Sequence, residues 1–263
     1  MYVESMSRTL LALFKSYFTG LAKLDAKVAP KGYLLAADEG VGLKKGLFSG
    51  ATKSTAASVG GSADGSSAFS VADRHVILDQ IDSEPILLHV AVAESQRYPF
   101  EVLLRSVLKH LVDAASSEFL FVLDFFKTNA RENFNRIFAK VLSLVLERLE
   151  THMLTCFDAV GLLLMIRVCH ALRMVMQRRR IPVLDGFFDR ISMLLWPRLK
   201  NVLEQNLMSL KGADAKKLSR AGLGAHFISR RYGELVASLV VLQVCHRHHC
   251  HCSVPMTNRY LWS

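Results

Sequence analysis

The chain has 263 residues, of which 51% are hydrophobic and 21% are charged. This composition supplies ample apolar surface for a core and excludes a globally disordered chain, and the length suits one large domain or two ordinary ones. Only six prolines occur, and runs of β-branched residues are few, so the sequence predicts an all-α fold.

The net charge of +10 is concentrated towards the end of the chain. Residues 177–263 carry 14 Lys and Arg against 5 Asp and Glu, and therefore supply +9 of the total. A basic surface favours acidic partners, such as anionic lipid headgroups, nucleic acid or an acidic protein. The other explanation is an ordinary solvated helix surface, and the charge count alone leaves both open.

The cysteine content and the first residues indicate the compartment. The five cysteines are an odd number and form no disulfide framework, which fits a reducing environment. The first residues lack the compact apolar core and the small-residue cleavage site of a secretory signal peptide. We therefore expect a soluble, intracellular protein.

Residues 1–30 predict a coiled-coil-like helix that ends at Pro30-Lys31-Gly32, because proline removes a donor and glycine suits a C-cap. The seam is too narrow to form a core alone, so it needs a partner helix, which we place as a hypothesis on another chain. The apolar positions recur every three or four residues: Val3, Met6, Leu10, Leu13, Tyr17, Leu21, Leu24 and Val28.

Residues 31–70 predict a flexible linker, because the stretch from Gly50 to Ser70 is rich in Gly, Ser and Ala. Helical patterns resume in 71–244, beginning with a helix over Val71–Ile81 capped by Ser70. A short apolar helix over Ile86–Ala93 follows, and then a helix that starts at Pro99.

Serines and asparagines mark the next predicted boundaries. Ser116 or Ser117 is expected to cap a separate, unusually aromatic helix over Glu118–Phe126, and Asn129 or Asn133 to begin the helix after it. The segment Phe121-Val122-Leu123 resembles a strand, but no second strand candidate pairs with it.

Residues 156–210 predict two long apolar helices joined by a basic elbow. The first runs from Cys156 to about Arg180, since the residue before Pro182 is pushed out of the α region. Its apolar stretch is long enough to span a membrane, but Arg167 and Arg173 interrupt it, and each costs about 2.5–3.5 kcal/mol near a bilayer centre. We therefore predict a buried or semi-buried helix.

The second long helix begins at Pro182 and ends at Gly212. Pro197 predicts a kink after Met193 or Leu194. Trp196 is interpreted as a core anchor, whose truncation to alanine would cost about 3–5 kcal/mol if it is buried.

The elbow and the residues after the second helix are basic. Arg178-Arg179-Arg180 can either contact phosphates or lie at a helix C-terminus, where the macrodipole favours positive charge, and the second interpretation needs no ligand. A basic loop over Ala213–Ala225 and a last helix over Phe227–Val244 complete the pattern.

The sequence shows no catalytic set. There is no Gly-x-Ser-x-Gly motif and no phosphate loop, and the glycines at 40, 42 and 46 have the wrong spacing for a dinucleotide fingerprint. The segment 245–263 contains the one metal-like cluster, with Cys245, His249, Cys250 and Cys252 as candidate zinc ligands. Because no second Cys/His pair lies at a domain-forming distance, we favour an incidental metal-binding tail over a structural zinc finger.

Several strings, taken together and in order, resemble the vacuolar protein sorting-associated protein 52 family, in a plant-like form. They are Tyr2-Val-Glu-Ser-Met-Ser7, Gly46-Leu-Phe-Ser49, Tyr98-Pro-Phe-Glu-Val-Leu-Leu-Arg-Ser106, Glu118-Phe-Leu-Phe121 with Asp124-Phe-Phe126, Cys156-Phe-Asp-Ala159, Arg178-Arg-Arg-Ile-Pro-Val-Leu-Asp185, Leu195-Trp-Pro-Arg198 and Arg230-Arg-Tyr-Gly-Glu234.

The resemblance implies a non-enzymatic subunit of the Golgi-associated retrograde protein complex, which tethers endosome-derived vesicles at the trans-Golgi network. It implies an elongated antiparallel helical-bundle rod without a cofactor. The implied partners are the other subunits, SNAREs and Rab-type GTPases, and the implied location is the cytosol, peripheral on Golgi and endosome membranes. In such a rod, Pro182 and Pro197 would set the bend, with Trp196 packed at the kink.

The chain also departs from the family pattern. It is expected to be truncated at both ends, the linker looks inserted or divergent, and the Cys/His-rich end is a possible gene-model artefact that transcript sequencing would decide. A truncated bundle is expected to expose Leu235, Leu239 and Leu242. The alternative function is a basic peripheral-membrane or nucleic-acid binding helical module, whereas the tether interpretation involves no nucleic acid.

Overall fold

The computed structural model describes residues 1–29, 32–37, 68–213 and 226–249, with side chains up to residue 243. Within these ranges the chain is an all-α helical bundle without strands, as the sequence predicts; one isolated bridge joins Asp25 and Tyr98. Two 3-10 helices cover Ala72–Leu78 and Pro182–Leu184. The α-helices are α1 (Tyr2–Ala22), α2 (Leu88–Ala93), α3 (Phe100–Phe126), α4 (Ala130–Met153), α5 (Ala159–Arg178), α6 (Asp185–Lys211) and α7 (Phe227–His249).

Helix α5 lies at the centre of the bundle, where it packs against α3, α6 and α7. By length and composition it is the one helix in the described ranges that could cross a membrane, and 61% of its most apolar 18-residue window is buried among the other helices. Its charged side chains have partners within the protein: Arg173 Nη1 donates to Asp189 Oδ1 at 2.7 Å. Burial inside a helical bundle therefore accounts for its hydropathy, in agreement with the predicted buried or semi-buried helix.

Helix α1 packs against α4 and α3 of the same chain. Phe14 and Leu21 are 1% and 2% exposed and belong to the same core as α5. Leu13, which the coiled-coil pattern placed on the seam, is 55% exposed, because the buried stripe passes through Phe14 instead. The helix ends at Ala22 rather than at Pro30. Helices α4 and α3 of the same chain thus supply the packing partner that the narrow seam of α1 requires.

Tyr17 ties α1 to the segment before α2 and to α3. Its hydroxyl donates to the carbonyl oxygen of Ile86 at 2.9 Å and lies 2.6 Å from Ser106 Oγ. We expect Tyr17→Phe to lower the free energy of unfolding by about 1–2 kcal/mol, because a half-buried acceptor loses its donor. Urea unfolding followed by circular dichroism measures the change, with the exposed Tyr232→Phe as the control. Equal stability of the two variants would contradict this role.

Helix α3 is one continuous helix of 27 residues, and the break predicted at Ser116 or Ser117 is wrong. Ser116 is buried, and its hydroxyl donates to the carbonyl oxygen of Val112 one turn earlier at 2.7 Å. A serine can satisfy its hydroxyl in this way inside a helix, so the same residue type that caps helices need not interrupt one.

Other predicted boundaries agree with the structure. Asn129 is the N-cap residue of α4 and has a left-handed backbone, with φ of 62°. The first long helix ends at Arg178, close to the predicted Arg180, and Pro182 begins a 3-10 turn that leads into α6. Gly212 is the C-cap residue of α6. Asp158, which was not predicted as a cap, accepts a hydrogen bond from the Gly161 N–H at 2.8 Å at the start of α5.

Candidate functional site

The string Tyr98–Ser106 at the start of α3 holds two segments onto the bundle, the one after α1 and the one before α2. The Tyr98 N–H donates to the carbonyl oxygen of Leu24, which fixes the segment after α1. Arg105 donates to the carbonyl oxygens of residues 80, 83 and 84, and Ser106 Oγ accepts from the Ile86 N–H at 2.7 Å. The Tyr98 backbone and the side chains of Arg105 and Ser106 thus satisfy backbone groups that have no helical partner, so the string has a structural role.

An ion-pair triad lies beside this string and joins three distant parts of the chain. Arg74 Nε is 2.7 Å from Glu101 Oε1, and Arg74 Nη2 is 2.5 Å from Asp158 Oδ2. The side chains of Arg74, Glu101 and Asp158 are only 14%, 2% and 9% exposed. Burial by itself would lower the pKa of Arg74, but the two carboxylates raise it above its usual value. The arginine is therefore a permanent cation that neutralises part of the buried acidic charge.

The close packing around the triad explains why residue 161 is glycine. A Cβ atom built on Gly161 would lie 2.6 Å from Asp158 Oδ2 and 2.7 Å from Arg74 Nη2. Any side chain at this position would therefore displace the ion pair.

A cavity of about 260 Å³ next to the triad is lined by Glu101, His152, Cys156 and Asp158, among others. Burial raises the pKa of Cys156 to about 11 and lowers that of His152 to about 4. At neutral pH the cysteine is thus a thiol and the histidine is an uncharged ring stacked on Phe100, with the ring centroids 3.4 Å apart. A nucleophilic cysteine needs a lowered pKa, so this combination does not form an activated Cys–His pair.

His152 makes the stability of the bundle dependent on pH. Its pKa is lowered to about 4 from an ordinary value of 6.5, chiefly by burial. The unfolded chain therefore binds more protons than the folded chain between these values, and stability falls as the pH decreases from 6.5 towards 4. We expect His152→Phe to remove much of this loss. Urea titrations at pH 7 and pH 5 test it, and an unchanged difference between the two pH values in the variant would contradict it.

The basic elbow after α5 is held by side chains of α3. Arg179 donates to Asp113 Oδ1 at 2.7 Å and to Ser116 Oγ at 2.9 Å. Arg178, which is 70% exposed, approaches Asp82 only to 3.9 Å. Arg179, the central arginine of the elbow, is therefore bound by side chains of the protein itself. Its position requires no phosphate ligand.

The structure corrects the expected role of Trp196. Pro182 begins the 3-10 turn before α6, and Pro197 lies inside α6. Trp196, however, is 52% exposed and is not a core anchor. The aromatic anchors of this helix are Phe187 and Phe188, which are 5% and 1% exposed. Trp196 is exposed to solvent outside this buried stripe.

The expected exposure of the apolar residues on α7 is also wrong. Leu235 and Leu242 are 5% and 0% exposed, and Leu239 is half-buried against the core. α7 packs on α5, and Ser238 Oγ donates to the carbonyl oxygen of Phe69 at 2.9 Å. Among the described side chains of α7, the exposed apolar residues are instead Tyr232, Val236, Val240 and Val241.

The candidate metal ligands Cys245, His249, Cys250 and Cys252 lie outside the residues whose side chains are described. Among the side chains that are described, no group of three or more His, Cys, Asp or Glu residues is arranged to hold a metal ion.

The end of α3 carries an exposed aromatic cluster that was not assigned a role from the sequence. Phe125 and Phe121 are 69% and 44% exposed, and their ring centroids lie 5.6 Å apart. Tyr2 of α1 packs on Phe121 at 5.3 Å, and its hydroxyl donates to Glu118 at 2.7 Å. The unusual density of phenylalanines in Glu118–Phe126 was the available signal. Exposed apolar patches of this kind mark protein–protein or membrane contacts.

Known proteins resemble this chain over nearly its whole length. A family described as "Vps52, C-terminal" matches residues 4–255. Vacuolar protein sorting-associated protein 52 A of Arabidopsis thaliana is 37% identical over 243 residues, which are 92% of this chain and 33% of that protein. The Caenorhabditis elegans homolog is 34% identical over 249 residues, 92% of this chain and 35% of that protein. The Homo sapiens homolog is 31% identical over 245 residues, 91% of this chain and 32% of that protein.

The chain thus spans about a third of the length of these curated relatives. No solved structure matches it. The family match includes α3 to α6 and the elbow, and with them the strings Tyr98–Ser106, Cys156–Ala159 and Leu195–Arg198. The chain belongs to the Vps52 C-terminal family.

Proposed function

We propose that this chain is a non-enzymatic subunit of a vesicle-tethering complex that serves retrograde transport from endosomes to the trans-Golgi network. The observation that carries the proposal is the family match across residues 4–255, together with relatives named for vacuolar protein sorting. In this role the protein acts in the cytosol, peripherally on Golgi and endosome membranes, and assembles with the other subunits of the Golgi-associated retrograde protein complex. SNAREs and Rab-type GTPases are the proposed transient partners.

The physical character of the bundle supports a scaffold. Its buried polar groups hold loops and helices in place: the Arg74 triad joins α3 to α5, and Arg231 Nη1 donates to the carbonyl oxygen of Ala37 at 2.8 Å. The cavity beside the triad contains a protonated thiol and a neutral histidine, neither of which is prepared for nucleophilic chemistry. The exposed aromatic cluster at the end of α3 offers a contact surface.

Co-purification tests the proposal. The full chain carrying an affinity tag is expressed in plant cells and recovered at moderate salt, and the recovered proteins are quantified by mass spectrometry. We expect the other subunits of the tethering complex in near-stoichiometric amounts. Recovery of nucleic acid or anionic lipid in a salt-sensitive manner, without those subunits, would contradict the proposal and support the basic-module alternative.

A further inference from the structure

The outer surface of the bundle has a groove between α1 and α4. It is a depression of about 490 Å³ that is open to solvent, and it is lined on the α1 side by Leu11 and Lys15. On the α4 side it is lined by residues 139–148, of which Ala139 and Ser143 lie one helical turn apart. These α4 residues cover about two and a half helical turns, roughly 13 Å. The groove is therefore long enough to receive a short helix along its length.

The groove carries cations that form no ion pair with any described residue. Lys15, Lys140 and Arg148 line it and are exposed. Elsewhere in the described ranges many basic side chains are engaged: Arg179 pairs with Asp113, and Arg173 pairs with Asp185 and Asp189. The unpaired cations give the groove a positive potential that a partner with acidic side chains would complement.

The apolar lining of the groove distinguishes an acidic amphipathic helix from a free phosphate group. Glu147 also lines the groove and repels phosphate and carboxylate alike, so it does not separate the two ligands. Leu11 and Leu144 form apolar walls, and the small side chains of Ala139 and Ser143 leave room for a close approach. An amphipathic helix fits such a groove by inserting apolar residues between the walls while its flanking carboxylates contact the rim.

We propose that the α1–α4 groove is a docking site for an amphipathic, acidic helix of a partner protein, whose carboxylates pair with Lys15, Lys140 and Arg148. This docking site is inferred from the described groove alone and does not depend on the tethering role. Co-purification of the complex can therefore succeed when the groove proposal fails, and the reverse is also true.

A synthetic peptide tests the groove directly. The probe is a fluorescent peptide of about 20 residues, long enough to form a helix, with one leucine stripe flanked by glutamates. Two comparison peptides carry glutamine or lysine in place of every glutamate. Fluorescence anisotropy with the full chain is expected to show binding of the glutamate peptide, weaker binding of the glutamine peptide and none of the lysine peptide. The binding should weaken as salt is raised.

Matched variants locate the binding. The triple variant K15E/K140E/R148E reverses the three positive charges of the groove. The control K127E/R190E/K200E reverses the charge of three exposed basic residues elsewhere, with the same change in net charge. We expect the first to weaken binding about tenfold or more and the second less than about twofold. Ser143→Trp fills the groove without changing charge and should also abolish binding, while Asn201→Trp on the surface of α6 should not. Circular dichroism confirms that each variant is folded.

Other results would overturn the proposal. Equal loss with both charge-reversal sets would indicate non-specific attraction, and equal binding of the glutamate and glutamine peptides would remove the role of the cations. Binding of phosphatidylserine vesicles that K15E/K140E/R148E abolishes, without peptide binding, would assign the groove to lipid. Self-association that Ser143→Trp abolishes, measured by sedimentation, would assign the groove to a second copy of this chain.

Discussion

Arg74→Met is expected to lower the free energy of unfolding by about 3–5 kcal/mol at neutral pH, because it leaves Glu101 and Asp158 buried without their shared cation. Their side chains are 2% and 9% exposed, so water replaces the guanidinium only poorly. Urea unfolding followed by circular dichroism measures the change. Arg190→Met removes an exposed cation of α6 and serves as the control, with an expected effect within about 0.5 kcal/mol.

The same variant should respond to acid in a defined direction. Burial already raises the pKa of Glu101, and the Arg74 cation opposes this rise. Without Arg74, the folded-state pKa of Glu101 moves further above its unfolded value. The folded variant then takes up protons before the unfolded chain does, so its deficit relative to the original protein should shrink as the pH falls. A deficit independent of pH, or a loss below about 1 kcal/mol, would contradict a buried triad.

The second large expected effect is a difference in stability between truncating a buried and an exposed aromatic residue of α6. Phe188→Ala should destabilise the bundle by about 3–5 kcal/mol, because it removes a fully buried ring and leaves a cavity. Trp196→Ala should change stability by less than about 1 kcal/mol, since the indole is 52% exposed whereas Phe188 is 1% exposed. Thermal and urea unfolding of both variants give the comparison. A larger loss for Trp196→Ala than for Phe188→Ala would contradict the orientation of α6.

The parts of the fold that the sequence predicted correctly depend on local chemistry. Pro182 begins a helical turn because its fixed φ suits the first turn of a helix. Gly212 is the residue at which α6 ends. The periodicity of the apolar residues identifies the helices themselves. These signals act within a few residues. They therefore remain valid whatever the tertiary arrangement.

The incorrect predictions concern burial and helix boundaries that tertiary packing determines. Ser116 has the residue type of an N-cap, but it lies buried in the middle of α3 and hydrogen-bonds within the helix. Trp196 was expected to anchor the core beside Pro197, although the core stripe of α6 passes through Phe188 and Leu195. Leu13 and Phe14 are adjacent, and only the orientation of α1 on α4 determines which of them is buried.

The interaction surfaces were still harder to predict. Arg74 lies 27 positions before Glu101 and 84 positions before Asp158. No short stretch of the sequence therefore contains the whole triad. The groove likewise combines Lys15 of α1 with residues of α4 more than a hundred positions away. The aromatic end of α3 was visible in composition, but its exposure depends on how far α3 extends beyond its neighbours.

The proposed role in vesicle tethering is tested most directly by a replacement experiment in cells that lack the family's protein. The matching third of a plant relative is replaced by this chain, and secretion of a vacuolar cargo protein into the medium is measured. We expect the chimera to restore retention of the cargo to the level given by the intact relative. A folded, normally expressed chimera that leaves the cargo secreted as in the deficient cells would contradict it.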